Sequence, residues 1–299
     1  MKQKKCDLFE AVDKNQSGFY ELKQEYRREM QSFYEDTYYQ TDKASYKKIG
    51  YSDEEIQYKK NLFREKEYIY LSICCGGREK TLLDVGCGEG YAMQYFYENG
   101  WAVCGLDFSN YAIKAHNPAM ENFLTKGDLM KNISTMKRIF GFIIMDNVLE
   151  HLPRPADFLS IIKDVCDKET VICITVPNDF SLTQKAAHED GCIDTAFWVS
   201  KETSEHFNYF TMHSLSKFSE ENGFDVVWKS ADYPIDFNLF NPRTNYVRSK
   251  EVGHDAHVAR LKIENMLYKK SLEDTVLLHS AFAKCGVGRN ISVYLKLKK

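Results

Sequence analysis

The chain has 299 residues, 43% hydrophobic and 28% charged, enough to bury a large core without disulfide or metal staples. A formal net charge of -3 lacks the basic footprint of a protein that grips a phosphate backbone, so no nucleic-acid partner is expected. The nine cysteines, odd in number and without C-x-x-C spacing, read as reduced thiols of a cytoplasmic protein, and no apolar run approaches the roughly 20 residues of a membrane span.

Residues 1–70 are polar and Tyr-rich (Tyr20, Tyr26, Tyr34, Tyr38, Tyr39, Tyr46, Tyr51, Tyr58), with charges spread along helix-like stretches that predict a helical N-terminal cover. A core follows over 71–230. Short apolar runs at 82–85, 102–106, 123–125, 140–145 and 171–176 alternate with helical patterns, which predicts an α/β fold with a parallel sheet and helices on both faces. After Pro155, the positions Phe158, Leu159, Ile162 and Val165 share one helix face. Leu215 and Phe218 do the same over 212–222, before a Gly223 stop and a strand at 224–228. Residues 231–285 read as an insertion, an aromatic loop over 232–246 and then a helix over 253–284, placed to serve as a substrate lid. Residues 286–299 hold a last strand, with Ile291, Val293, Leu295 and Leu297 on alternate positions.

The chemistry-bearing residues fall at strand ends. Leu82 to Val85 runs into Gly86-Cys87-Gly88-Glu89-Gly90 and a helix over 91–99; glycines there let backbone approach a ligand at positive φ, and the new helix offers free N–H groups. A dinucleotide fingerprint would place its third glycine where Tyr91 stands, which argues against NAD and an oxidoreductase. Asp107 closes the second strand, where a carboxylate can accept from two ribose hydroxyls; capping of the following helix falls equally well to Ser109 or Asn110. Gly127-Asp128-Leu129 follows the third strand, Asp146-Asn147 with Leu149-Glu150-His151 the fourth, and Asn178-Asp179 the fifth. The run Ser204 to Thr211, with His206 and Tyr209, precedes the late helix.

Over residues 80–230 and the last strand, this ordered set resembles the class I, Rossmann-like S-adenosylmethionine-dependent methyltransferases. The resemblance implies a seven-stranded sheet and S-adenosylmethionine as cofactor. Asp84, Gly86, Cys87, Gly88 and Gly90 would border its methionine and ribose, Asp107 its ribose hydroxyls, Phe108, Asp128 and Leu129 the adenine, and Asn147 the methionine end. The Leu-Glu-His and His-Phe-Asn-Tyr segments are similar to small-molecule enzymes such as those of ubiquinone biosynthesis. They make His151 and His206 the candidate general bases and Tyr209 a substrate contact, and Asn178, just past the fifth strand on the same rim, joins it. The 231–285 segment resembles tails of bacterial surface-sugar methyltransferases, so Arg243 and Tyr246 join the substrate set and an activated sugar or glycan precursor is the expected acceptor. A quinone-like acceptor and a non-catalytic S-adenosylmethionine-binding protein are the alternatives. No metal is expected, since His254 and His257 at i, i+3 have no supporting ligand set.

Overall fold

The computed structural model describes residues 8–27, 50–74, 79–201 and 205–299. Near the N-terminus, β1 (Val12–Lys14) and β2 (Tyr20–Leu22) pair as an antiparallel hairpin, and β2 also pairs with a two-residue strand, β8 (Asn208–Tyr209). The expected helical cover is therefore part strand: Val12 and Leu22 turn inward to Phe180, Trp198 and Tyr209, and Gly18 at φ +91° closes the turn. Tyr34, Tyr38, Tyr39 and Tyr46 lie outside the described residues. The cover's helix is α1 (Asp53–Ile73), started by a capping box in which Ser52 accepts from Glu55 N, a contact worth about 1 kcal/mol.

The main sheet has seven strands in the order β5-β4-β3-β6-β7-β10-β9. Five are parallel: β3 (Thr81–Val85), β4 (Ala102–Asp107), β5 (Leu124–Lys126), β6 (Phe142–Asp146) and β7 (Val171–Pro177). The last strand, β10 (Asn290–Leu297), inserts antiparallel between β7 and β9 (Phe224–Ala231). The central strands are covered on both faces, which is why they read as apolar runs rather than as alternation.

Period-two geometry splits each run between two cores. Leu83, Val85, Ile143 and Met145 face α4 (Leu129–Thr135), α5 (Pro155–Ile161) and α7 (Met212–Glu221), where Ile133, Phe158, Leu159, Leu215 and Phe218 are buried. Leu82, Phe142, Ile144 and Cys173 face α1, α2 (Tyr91–Glu98) and α9 (Leu272–Cys285) through Ile69, Met93, Phe96 and Val276. Each fully buried Leu, Ile or Phe contributes about 1.5–3 kcal/mol. Two shorter helices flank the parallel strands: α3 (Tyr111–His116) follows β4 and α6 (Leu182–Glu189) follows β7.

The insertion departs from expectation in one way. Its helix is two helices, α8 (Glu251–Lys270) and α9, because Ser271 at φ -163° leaves the helical region and its hydroxyl caps α9 by accepting from Asp274 N at 3.1 Å. Both helices are anchored to the body of the protein: α8 packs on α1 and α9 on β9, and Ala283 is part of the core. The loop between β9 and α8, with Gly253 and Arg260 of α8 and His279 of α9, borders the cavities described next.

Candidate functional site

The chain leaves β3 toward β4 and β5 on one side and later fills β6 and β7 on the other, so strand order reverses at β3 and opens a crevice at the carboxyl ends. Gly86 lies at its floor. A Cβ there would sit 2.4 Å from Val148 Cγ2, and φ is +70°, so both space and backbone demand glycine. Gly88 and Gly90 also take positive φ, and Gly90 ends the turn as the residue before α2.

Asp107 at the end of β4 is buried and reaches back to this turn. Its Oδ2 accepts from Gly88 N at 2.9 Å and its Oδ1 from Ser109 N at 3.0 Å. The glycine loop and the second-strand carboxylate thus converge on one crevice. Phe108, beside it, is 43% exposed, a large ring on the same rim. Below the loop, Asp84 is buried; burial, with the charge of Asp146 adding to it, pushes its carboxyl up to about 8 against the opposing Lys66. Burial likewise pushes the Cys87 thiol far up, so Cys87 is an inert small hydrophobe next to Gly105. Glu89 is held from the cover: Tyr51 Oη donates to it at 2.6 Å and Lys59 Nζ stands at 3.2 Å.

The third strand end is less open. Asp128 is exposed and caps α4, accepting from Lys131 N at 2.9 Å, while the Leu129 side chain belongs to the core. Leu129 therefore presents only its main chain to the rim, because its position in the first turn of α4 commits the side chain inward. Asn147, past β6, is exposed at φ +53°, in the left-handed region that Asn tolerates.

Beyond Asn147 the site is made of side chains. Lys66 of α1, almost fully buried, pairs with Asp146 and donates to Thr175 Oγ1 at 2.9 Å; burial alone would lower its pKa, but Asp146 more than offsets this and holds it up. These groups, with Asn147, Ser230, Asp232 and Ser292, line a cavity of about 120 Å³. A second cavity of about 270 Å³ is lined by Phe197, Ile235, Tyr246, Gly253, Arg260 and Arg289. Arg260 donates to Asp232 Oδ2 at 2.8 Å and Arg289 to Asp179 Oδ1 at 3.0 Å, and Tyr246 donates to buried Asp236.

His151 and His206 come together, ring centroids 4.8 Å apart, from segments that are 55 positions apart in sequence. His151 Nδ1 lies 2.5 Å from the Glu205 carbonyl. Burial lowers both imidazoles to about 4, with the neighbouring ring adding to the shift at His151 and Arg289 at His206, so both are neutral at pH 7. Glu150, 1% exposed, stands beside them with its carboxyl pushed well up by burial.

Three residues expected at the substrate lie outside both cavities. Tyr209 is fully buried, its hydroxyl donating to His206 O and accepting from Ser200 N, so it builds β8 instead of facing a ligand. Asn178 is buried and donates to Gly286 O and Gly288 O, tying the end of β7 to the turn before β10. Arg243 is exposed and outside both cavities. Tyr246 does line one. Sequence reasoning missed Lys66, Asp146 and Glu150: the first lies in a helix with no motif around it, and the other two sat inside a quoted motif with nothing to mark their burial.

A family model described as a methyltransferase domain matches residues 57–229. No curated protein matches the chain by sequence. Among solved structures, the chain is similar to a SAM-dependent methyltransferase from Archaeoglobus fulgidus, at 18% identity over 79% of this chain and 94% of that one, TM-score 0.49. It is also similar to 1,6-didemethyltoxoflavin-N1-methyltransferase from Burkholderia thailandensis, solved with 1,6-didemethyltoxoflavin and S-adenosylhomocysteine, at 12% identity over 83% and 80% of the two chains, TM-score 0.45.

Proposed function

The chain belongs to the methyltransferase-domain family, and on that premise we propose that it moves a methyl group from S-adenosylmethionine to a small polar acceptor at the crevice above β3 and β6. Its seven-stranded mixed sheet, with the last strand inserted antiparallel, is the Rossmann-like methyltransferase fold. The observation that carries the reading is the meeting of the glycine loop with Asp107 through the Gly88 contact. Three glycines at positive φ shape the turn, with Val148 and Ile113 packed too close for a Cβ at Gly86 and Gly90, and the exposed Phe108 ring and Asn147 lie at the same strand ends, so the residues present fit an adenosyl ligand.

The cofactor supplies an electrophilic methyl group on a sulfonium; the protein's work is alignment and proton management. Positioning alone can contribute on the order of 7 kcal/mol. Asp107 holds the ribose end, Asn147 marks the methionine end, and the acceptor enters over Asp146 and Asn147. For a hydroxyl acceptor, a base is worth about a hundredfold to ten-thousandfold, and the neutral His151 and His206 rings each offer a lone pair for it.

The acceptor reading is an activated sugar or glycan precursor. The smaller cavity sets hydrogen-bonding groups (Lys66, Asp146, Asn147, Thr175, Ser230, Asp232) beside Leu62, Phe63 and Tyr294, which suits a hydroxylated ring with an apolar face. Arg260 and Arg289 in the larger cavity suit a phosphate or carboxylate attached to it.

Calorimetric titration with S-adenosylmethionine tests the core of this. Losing Asp107 removes charge-assisted hydrogen bonds worth about 1.5–3 kcal/mol, so Asp107→Ala is expected to bind about ten- to a hundredfold more weakly. Equal binding by the variant, or preferential binding of a reduced nicotinamide by the wild type, overturns the assignment. Labelled methyl transfer to nucleotide sugars, with none to quinone analogues, is the expected outcome for the acceptor; binding with no transfer to any acceptor would leave a non-catalytic binder.

A further inference from the structure

Glu150, His151 and His206 place a carboxylate and two imidazoles in one spot at the carboxyl end of β6. One ligand atom from each lies within 4.8 Å of the others, with His151 Nε2 3.8 Å from Glu150 Oε1. Among the described residues neither oxygen of Glu150 has a hydrogen-bond partner although the side chain is 1% exposed, and none partners buried His206 Nδ1. Buried carboxylates are ordinarily paired or bound to a cation.

The hydrogen bonding of His151 sharpens the point. The Glu205 carbonyl can only accept, so the His151 Nδ1 contact requires the proton on Nδ1. In the neutral ring that leaves the Nε2 lone pair open, with Glu150 Oε1 3.8 Å away, beyond hydrogen-bond distance. A backbone carbonyl on the far nitrogen is how metal-binding imidazoles are commonly oriented. We infer that Glu150, His151 and His206 bind one divalent transition-metal ion, Zn²⁺ or a metal of similar preference, through a carboxylate oxygen and two imidazole nitrogens.

The donor set suits such an ion and disfavours Ca²⁺, which takes six to eight oxygens. Zinc bonds of about 2.1 Å hold tetrahedral ligands roughly 3.4 Å apart, so the cluster closes on the ion by side-chain rotations on the order of an ångström. His151 and His206 keep 19% and 24% of their side chains exposed, so positions remain for water or a ligand, as in a catalytic and not a structural site. Asp179, whose Oδ2 stands 3.9 Å from His206 Nδ1, is already committed to Arg289 and serves as an outer partner.

What the ion does rests on the reading above: beside Asn147 it would bind a hydroxyl acceptor and ease loss of its proton to solvent, replacing as the base the two imidazoles whose lone pairs it takes. Binding itself does not depend on that reading. Zn²⁺ is titrated calorimetrically into chelator-stripped, fully reduced protein, with Co²⁺ absorption distinguishing nitrogen and oxygen ligands from cysteine thiolates. The expected result is one equivalent with a spectrum free of thiolate bands, weakened at least a hundredfold in Glu150→Gln and in His206→Asn. A melting curve and S-adenosylmethionine titration of each variant show that it is folded. No binding by the wild type, a thiolate spectrum, or undiminished affinity in both folded variants overturns the metal site. If S-adenosylmethionine binding fails while Zn²⁺ binds, the methyltransferase reading falls and the metal site stands.

Discussion

The two sides of the crevice are built on opposite plans. On the β3–β4 side the recognition surface is main chain: glycines at positive φ, a helix start and one carboxylate, all within residues 84–108. On the side of β6, β7 and β10 it is side chains from distant parts of the chain, among them Glu65 and Lys66 of α1, Arg260 and Glu264 of α8, His279 of α9 and Arg289 before β10. A site made of backbone tolerates change nearly everywhere except at its glycines. A site made of buried charges depends on every partner, because each charge left alone keeps its desolvation cost.

Arg260→Ala is the sharpest way to break that contrast. Arg260 donates to Tyr58 Oη at 2.5 Å and to Asp232, and stands 3.5 Å from Glu264. Removing it takes the arginine from two buried carboxylates, leaving Asp232 to Arg289 N and Asn290 and Glu264 to Tyr233 N, and is expected to cost about 3–5 kcal/mol in urea unfolding, with S-adenosylmethionine affinity within about twofold of wild type. A loss below about 1 kcal/mol would mean that the network is not interdependent. Next in size, Gly86→Ala meets both a left-handed backbone, about 1–2 kcal/mol, and the Val148 methyl, about 1–3 kcal/mol. Cofactor affinity should drop at least tenfold, and adding Val148→Ala should restore only the steric part of the stability loss, leaving the backbone part. Full rescue would show that strain at φ +70° plays no role.

The smallest expected effect is one of pH. Burial alone would raise the Glu65 pKa, but the His279 charge and hydrogen bonds from His279, Tyr268 and Ser230 more than offset it, so the carboxyl is held below its ordinary 4.5. Burial alone would lower His279, yet Glu65, then Glu264 and Asp232, lift it above its ordinary 6.5. The Glu65 contribution to stability is present above about 4.5 and fades as pH falls through its lowered pKa. The His279 contribution is full below about 6.5 and is lost as pH rises through its raised pKa. Stability measured by denaturant midpoint should therefore decline on the alkaline side of 6.5 in wild type, and His279→Gln should flatten that decline. An unchanged slope would remove His279 from the charged network.

Much of the cofactor side was legible before any coordinates. β3, β4, β6 and β7 lie within two residues of their apolar runs, since strands buried on both faces leave a composition signal that needs no partner to interpret. The β1–β2 hairpin was not legible: three-residue strands carry too few alternations, and their pairing with β8 closes a loop of nearly two hundred residues. Ser271 splitting α8 from α9 was hidden because serine is tolerated inside helices and marks a cap only when its backbone leaves the helical region. Tyr209 and Asn178 were expected to face a ligand on the strength of their neighbours in sequence. The Tyr209 hydroxyl and the Asn178 amide nitrogen proved to be occupied by main-chain groups.

The amino-acid sequence by itself determined the strand alternation, the glycine turn with its demand for positive φ, and a carboxylate at the second strand's end, because each depends on residues close together in the chain. Tertiary structure alone decided that Glu150 would lie buried against His151 and His206, and that Lys66 would reach Asp146. Burial and pairing of charge are properties of what surrounds a side chain, and for these residues the surroundings come from helices and strands tens to hundreds of positions away.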